Sequence, residues 1–343
     1  LGHPISSLVW QRPTSIARPP AKFLTIMSKG FSLPAKGSQV LALAEMHFIV
    51  FIWGFTAILG KLIQVEALNL VWNRVAITGL LLGAWAAYRR VPLRVPTTTV
   101  LPMMATGLII AAHWVTFYHA IRISNVSLTL AGLATSSFWA SMLKALYAGK
   151  KPELREWLLS MVALVAMLLL TRVQQFPAFA WWTACLSALL AAWFAIINAR
   201  FTQVEEPLRV AFWEMFGGWL GVSAWMLLET QMGPLLPGLD GTNTTSLWPW
   251  QIPTVSDWFW LGLLALVCTC YPFVASIRLM RRIDPFSFVL SVNMEPVYGI
   301  FLGWLLFRNS EQMSPAFYGG TLLLIGAVGV DAWAQRYRDR LDR

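Results

Sequence analysis

The chain has 343 residues, of which 57% are hydrophobic and only 12% charged, with a formal net charge of +10. Ordinary soluble domains carry roughly 25% charged residues, and even a large one leaves about a quarter of its chain surface in water. A mean hydropathy of +0.60 therefore argues against a soluble fold and for lipid as the solvent of much of the surface.

Residues 1–39 stand apart. They hold no acidic residue, several Lys and Arg, and Pro13, Pro19, Pro20 and Pro34. Since the sequence opens on Leu1, this segment reads either as an over-extended frame with a start near Met27 or as a basic transit segment. It is set aside from the fold as disordered or over-extended.

A helix needs about 20 apolar residues to cross the hydrocarbon core. In chain order, such stretches fall at roughly 40–63, 69–88, 97–121, 125–147 and 154–172, then 178–200, 209–230, 257–277, 285–307 and 314–334. A longer loop, 231–256, is rich in Gly, Pro, Asn, Thr and Trp. A basic tail, 335–343, ends the chain.

Charge sets the orientation. One set of connections and ends carries twenty basic residues, including Arg89, Arg90, Arg94, Lys150, Lys151, Arg155, Arg200, Arg209, Arg278, Arg281 and Arg282. The opposite set carries four: Lys61, Arg122, Arg172 and Arg308. The positive-inside rule then predicts both termini in the cytoplasm of a multi-pass plasma (bacterial inner) membrane protein, and an even helix count.

The two halves, 40–172 and 178–334, resemble each other. Lys61 to Glu66 (KLIQVE) matches Arg200 to Glu205 (RFTQVE). Trp53 matches Trp193 and Arg74 matches Glu214, while Phe117 to Arg122 corresponds to Phe273 to Arg278. Five helices is an odd number, so the second half inserts upside down. The fold class predicted is an all-α membrane protein of ten transmembrane helices in two inverted five-helix repeats, a plan that places a substrate site between the halves.

Phe51-Ile52-Trp53-Gly54-Phe55 with Lys61, then Asn73-Arg74, then Asp284-Pro285-Phe286-Ser287 and Asn293-Met294-Glu295-Pro296-Val297-Tyr298-Gly299 resemble EamA-type members of the drug/metabolite transporter superfamily. The resemblance spans about 40–335 and implies ten helices, cytoplasmic termini and movement of small metabolites. The chain departs from it at Arg308-Asn309 and at Lys144-Ala145, where Gly-Glu and Glu-Pro are expected.

Charged and polar groups inside apolar stretches are the functional candidates, because they are expensive in lipid and usually face a cavity or a partner. Glu295 in the ninth stretch leads. Pro296 follows it and cannot bond the Val292 carbonyl, which adds a polar group one turn away. Asn293, Tyr271 beside Pro272, His113 and Asn198 are further cavity candidates. For each, packing inside the bundle is the competing reading. Arg74 and Glu214 lie toward opposite faces and are gating candidates, with snorkelling the alternative for Arg74. Lys144 is expected to snorkel, and every Asp is expected in a loop or at an end.

The basic residues form short clusters between apolar runs, not a stripe, so nucleic acid is not an expected partner. Cys185, Cys268 and Cys270 have no CxxC or zinc spacing, and the four His form no HExxH pattern. No phosphate-binding loop or GxSxG occurs. No cofactor, metal or catalytic residue is expected. The function expected is a secondary transporter of a small organic metabolite working by alternating access, with protons as one coupling route. An intramembrane enzyme acting on a lipid or lipid-linked substrate is the alternative. The expected partners are that metabolite and the bilayer, with a homodimer left open. Both signs of intramembrane charge admit an amphoteric substrate.

Overall fold

The computed structural model describes residues 37–171, 177–232, 250–298 and 315–341. Helix makes up 84% of these, and no strand occurs among them. The N-terminal segment through residue 36, most of the 231–256 loop, Arg172 and Arg308-Asn309 lie outside the described residues, as does the end of the basic tail.

The first half begins with α1 (Gly37–Trp53) and α2 (Thr56–Leu62), two pieces of one broken helix. Then come α3 (Ala67–Tyr88) and α4 (Thr97–Ile123). A second broken helix, α5 (Val126–Leu133) and α6 (Ser136–Ala148), is followed by α7 (Leu154–Thr171). The second half has α8 (Ala178–Phe201) and α9 (Pro207–Met232). Next, α10 (Val255–Ala265) runs through a π-helical turn, Leu266–Cys270, into α11 (Tyr271–Leu279). Finally come α12 (Pro285–Val292), a one-turn helix from Glu295, and α13 (Pro315–Leu341).

By length and composition, six helical stretches could cross a membrane: Leu41–Leu62, Ala67–Tyr88, Thr97–Ile123, Val126–Ala148, Ala178–Phe201 and Val255–Leu279. The other predicted stretches are helical where described. Large apolar side chains face outward along many helices, among them Leu80, Leu101, Leu158, Trp182, Leu227, Phe259 and Leu322. That is expected of a surface whose solvent is lipid, and it leaves packing and polar contacts to hold the helices together.

Small residues permit the closest crossing, between α4 and α9. A Cβ on Gly107 would lie 2.0 Å from the Glu214 carbonyl oxygen, and one on Gly217 would lie 2.3 Å from that of Met104. Both are far inside contact distance, so the backbones meet only because these residues are glycine. Around this crossing, α9 also packs on α3, α4 on α8, and α5 and α6 on α8. Across the bundle α13 packs on α7, α12 on α6 and α1, α10 and the π turn on α3, and α10 and α11 on the α1–α2 helix.

The interruptions have local causes. Gly54 sits in the break between α1 and α2. The π turn precedes Pro272, whose ring nitrogen has no hydrogen to give the Cys268 carbonyl. That carbonyl instead accepts the Trp53 indole N–H at 3.1 Å, and Thr269 caps the Leu264 carbonyl at 2.8 Å. Pro296 disfavours helix at the residue before it and offers no N–H to Val292. The chain responds with a turn at Asn293–Met294 rather than a gentle kink. No Gly or Pro explains the break at Ala134–Thr135, where the Thr135 hydroxyl bonds the Gly132 carbonyl at 2.7 Å.

Candidate functional site

The four interrupted helices meet at one place. A cavity of about 100 Å³, room for several waters or one small organic molecule, lies between them. Each interruption contributes to its wall: Trp53 and Thr56 from the first, Leu133 and Ser136 from the second, Cys268 and Thr269 from the π turn, Val292 and Glu295 from the last. α4 adds His113, Trp114 and Phe117, α8 adds Phe194, and α3 adds Arg74. Breaks matter here because an interrupted helix leaves backbone groups and short polar side chains without helical partners. In a membrane these are tolerated only where protein or a watery cavity satisfies them.

Arg74 is 3% exposed. Its guanidinium lies 3.8 Å from the centre of the Trp114 ring, a cation–π stack. Nε donates to Thr269 Oγ1 and Nη1 to the Tyr118 hydroxyl, each at 3.0 Å. No carboxylate of a described residue pairs with it. Glu295 is 7% exposed. Its Oε1 lies 3.0 Å from the Thr56 hydroxyl, which also sits 2.7 Å from the Trp53 carbonyl and must share one hydrogen between them. The wall thus holds one cation and one carboxylate that are not paired with each other.

His113 is fixed on the α8 side. Its Nδ1 lies 2.9 Å from the Ser187 carbonyl oxygen and 2.8 Å from the Ser187 hydroxyl, which donates to the His113 carbonyl at 3.0 Å. His113, Arg74 and Glu295 therefore share one cavity, whereas the other predicted residues do not line it. Asn198 and Glu214 are buried together away from it, with a single 3.3 Å contact from Asn198 Nδ2 to Glu214 Oε2. Asn293 occupies the turn before Glu295, and its amide nitrogen is sealed without a partner. Tyr271 faces outward at 39% exposure, its hydroxyl donating to Glu45 at 2.9 Å beside an Arg278–Glu45 pair.

A second polar cluster departs from the sequence expectation. Lys144 does not merely snorkel: it bridges Glu156 at 2.6 Å and Asp284 at 3.1 Å. Ser141 donates to Glu156 at 2.8 Å, and Arg155 reaches Asp331 at 2.8 Å. Asp331 is not at an end but inside α13, 3% exposed, with Gln335 bonded to it at 3.0 Å. This cluster ties α6, α7, α12 and α13 together. Ser136 and Lys144 are eight residues apart on α6, so the cluster lies about 12 Å along the helix from the cavity wall.

Sequence reasoning missed Thr56, Ser136, Thr269, Glu156 and Asp331. The first three are neutral and small. The last two sit near stretch ends, where a charge looks solvated. The position of each relative to a helix break or to Lys144 was the available signal.

Residues 43–172 match the EamA-like transporter family. This match over the first part of the chain is consistent with an EamA-type transporter of the drug/metabolite superfamily, and with the apolar helices it supports a multi-pass membrane protein. No curated protein matches it. Among solved structures, 26 chains match. One, described only as the crystal structure of a protein, is 17% identical with a TM-score of 0.65, covering 85% of this chain and 97% of that one. At that identity the likeness speaks to the fold alone.

Proposed function

We propose that the chain is a secondary transporter that moves a small organic metabolite by alternating access through the Arg74–Glu295 cavity. The observation that carries this is the convergence of four interrupted helices on one polar-walled cavity. Discontinuous helices around a central site are a recurring device of such transporters, because the breaks both bind the ligand and hinge. Glu295 supplies a carboxyl that can take and release a coupling proton.

The reading includes ten helices as two inverted halves, and the packing supports it. Exchanging α1–α2 with α8, α3 with α9, α4 with α10–α11, α5–α6 with α12, and α7 with α13 maps the main packing pairs onto one another. α4 on α9 becomes α10 on α3, and α4 on α8 becomes α11 on α1. Finer correspondences follow at an offset of 159 residues. Asn125 and Asp284 both cap their helices through the side chain, to the amides of Leu128 and Phe286. The turns Ala134–Thr135 and Asn293–Met294 coincide, and so do the cavity residues Ser136 and Glu295.

With cytoplasmic termini, the Lys144 cluster lies at the cytoplasmic end and holds that end closed, joining first-half helices to second-half ones. Two experiments test the reading. Purified protein in proteoliposomes, loaded with pooled metabolites, is expected to show counterflow of at least one labelled metabolite; an absence of flux for every class tried would sink the transporter. Reporter fusions after Arg94, inside 231–256 and after Arg343 are expected to read in, out and in. A cytoplasmic signal from the 231–256 loop would overturn the topology.

A further inference from the structure

We infer that Glu214 binds a proton in a site of its own, sealed outside the cavity in a cyclic acid–amide pair with Asn198, and releases it to water when the two halves exchange conformations. The release rests on the transporter reading; the proton site does not.

Hydrogen-bond balance carries the site. Both side chains are wholly buried, and one contact joins them, from Asn198 Nδ2 to Glu214 Oε2 at 3.3 Å. The two remaining oxygens, Asn198 Oδ1 and Glu214 Oε1, are sealed and have no partner among the described residues. An ionised carboxylate only accepts, and so does an amide oxygen, so neither orphan can serve the other. One proton on Oε1 satisfies both. The O–H then donates to Oδ1 while the amide N–H donates to Oε2, and the two planar groups close into a ring of two hydrogen bonds. Exchanging the amide's oxygen and nitrogen changes only which carboxyl oxygen holds the proton. Without that proton two buried polar atoms stay unpaired, which is costly.

No cation stands in for the proton. Arg74 on α3 is engaged with Thr269 and Tyr118, and His113 on α4 with Ser187. Arg200 on α8 lies over the Tyr147 ring, Arg278 on α11 pairs with Glu45, and Arg209 on α9 itself pairs with Glu205. Among the described residues none forms an ion pair with Glu214, and an ionised carboxylate so enclosed would be uncompensated.

Packing explains how the proton is kept and how it leaves. Glu214 sits where α4 and α9 cross most closely, its carbonyl oxygen 2.0 Å from where a Gly107 Cβ would lie. The pair joins α8 to α9, and both pack on α4, so water reaches the acid only when these helices shift. Glu214 is also the repeat counterpart of Arg74, 140 residues on. Alternating access exchanges the conformations of the two halves, which gives Glu214 the placement that Arg74 has here, on the cavity wall. There the carboxyl O–H bond breaks, the electron pair stays on Glu214, and the proton passes to water.

The test is infrared spectroscopy of purified full-length protein in lipid vesicles at neutral pH. The difference between wild type and Glu214→Gln is expected to show one protonated-carboxyl C=O band. Glu295→Gln is expected to retain that band, and Asn198→Leu to move it to higher frequency as the ring opens. A missing band, or one that Asn198→Leu leaves in place, overturns the site. Glutamine can pair with Asn198 through two amide bonds, whereas Glu214→Leu strands Asn198. The leucine variant is therefore expected to unfold at a lower temperature than the glutamine one; a glutamine variant no more stable than the leucine one overturns the neutral acid. The band is then followed after transfer to D2O, where O–D replaces O–H and lowers its frequency. Exchange is expected to be slow at rest and several-fold faster with the pooled metabolites of the counterflow assay. Counterflow with no change in exchange overturns the release. The expected band in a protein that shows no counterflow of any metabolite keeps the proton site and defeats the transporter.

Discussion

The cavity and the Lys144 cluster bury comparable charges and treat them in opposite ways. Glu156, 1% exposed, is held by Lys144 and Ser141, and Asp331 by Arg155 and Gln335. Arg74 and Glu295, nearly as buried, have only hydroxyl and ring partners among the described residues. Burial alone therefore does not separate the two regions; the state of pairing does. A buried charge that is fully paired is a structural tie or latch, because separating it from its partner is what costs energy. A buried charge left with open valence beside a cavity is a binding group in waiting.

The sharpest way to break this comparison is Glu295→Gln. The amide keeps the shape and can still accept from Thr56, so insertion and stability are expected to stay near wild type. Transport is expected to fall by about tenfold or more, the scale of a lost charge-assisted contact, and any pH dependence to flatten. Flux with unchanged rate and pH profile would make Glu295 a packing residue and remove the distinction between the two regions.

Lys144→Met attacks the other side. It leaves Glu156 with Ser141 and with Arg155 at 4.0 Å. Removing one partner of a fully buried pair costs about 3–5 kcal/mol. Because the Lys144 side chain is 27% exposed, solvent screening should bring this to roughly 1–3 kcal/mol, read as a lower midpoint of thermal unfolding in detergent. Adding Glu156→Gln is expected to recover part of the loss, since of the two carboxylates that lose Lys144 only Asp284, which still caps the Phe286 amide, then remains. If the cluster also latches the cytoplasmic end, the single variant should label faster from that side at a cysteine introduced near Ser136. Unchanged stability and labelling together would show that the cluster is neither tie nor latch.

The helical class and the apolar stretches were legible in the sequence, and Glu295 and His113, which line one cavity, stood out as candidates because a carboxyl or imidazole is conspicuous in an apolar run. The cavity's other polar wall was not. Thr56 and Thr269 bond their own backbone at Trp53 and Leu264, as helical threonines commonly do, and their second contacts, with Glu295 and Arg74, are made across the chain. Lys144 looked like a lone cation near a helix end, since Glu156 and Asp284 are 12 and 140 residues away along the chain. Arg74 was visible, but its aim depends on Trp114 and Tyr118 from another helix. Pairing is a tertiary fact, and composition alone does not report it.

The smallest effect is expected at Tyr271, which the sequence placed beside Glu295 as a cavity candidate because it precedes Pro272. Helical geometry separates the two roles. The π turn ends at Cys270, and each further residue rotates by about 100°. Thr269 and Phe273, each two positions from Tyr271 and so about 200° round the helix, face the cavity, while Tyr271 points outward to Glu45 and Arg278. Its hydroxyl contributes one hydrogen bond at a largely exposed site, where Glu45 retains Arg278. Tyr271→Phe should accordingly change the unfolding midpoint by no more than about 0.5 kcal/mol equivalent and leave substrate affinity and flux within twofold, roughly the reproducibility scale of such a shift. Thr269→Val, two residues earlier, removes a partner of Arg74 and should weaken binding measurably. If Tyr271→Phe impaired transport as much as Thr269→Val, the outward-facing cluster would belong to the transport path, and the state of pairing would no longer separate structural charges from functional ones.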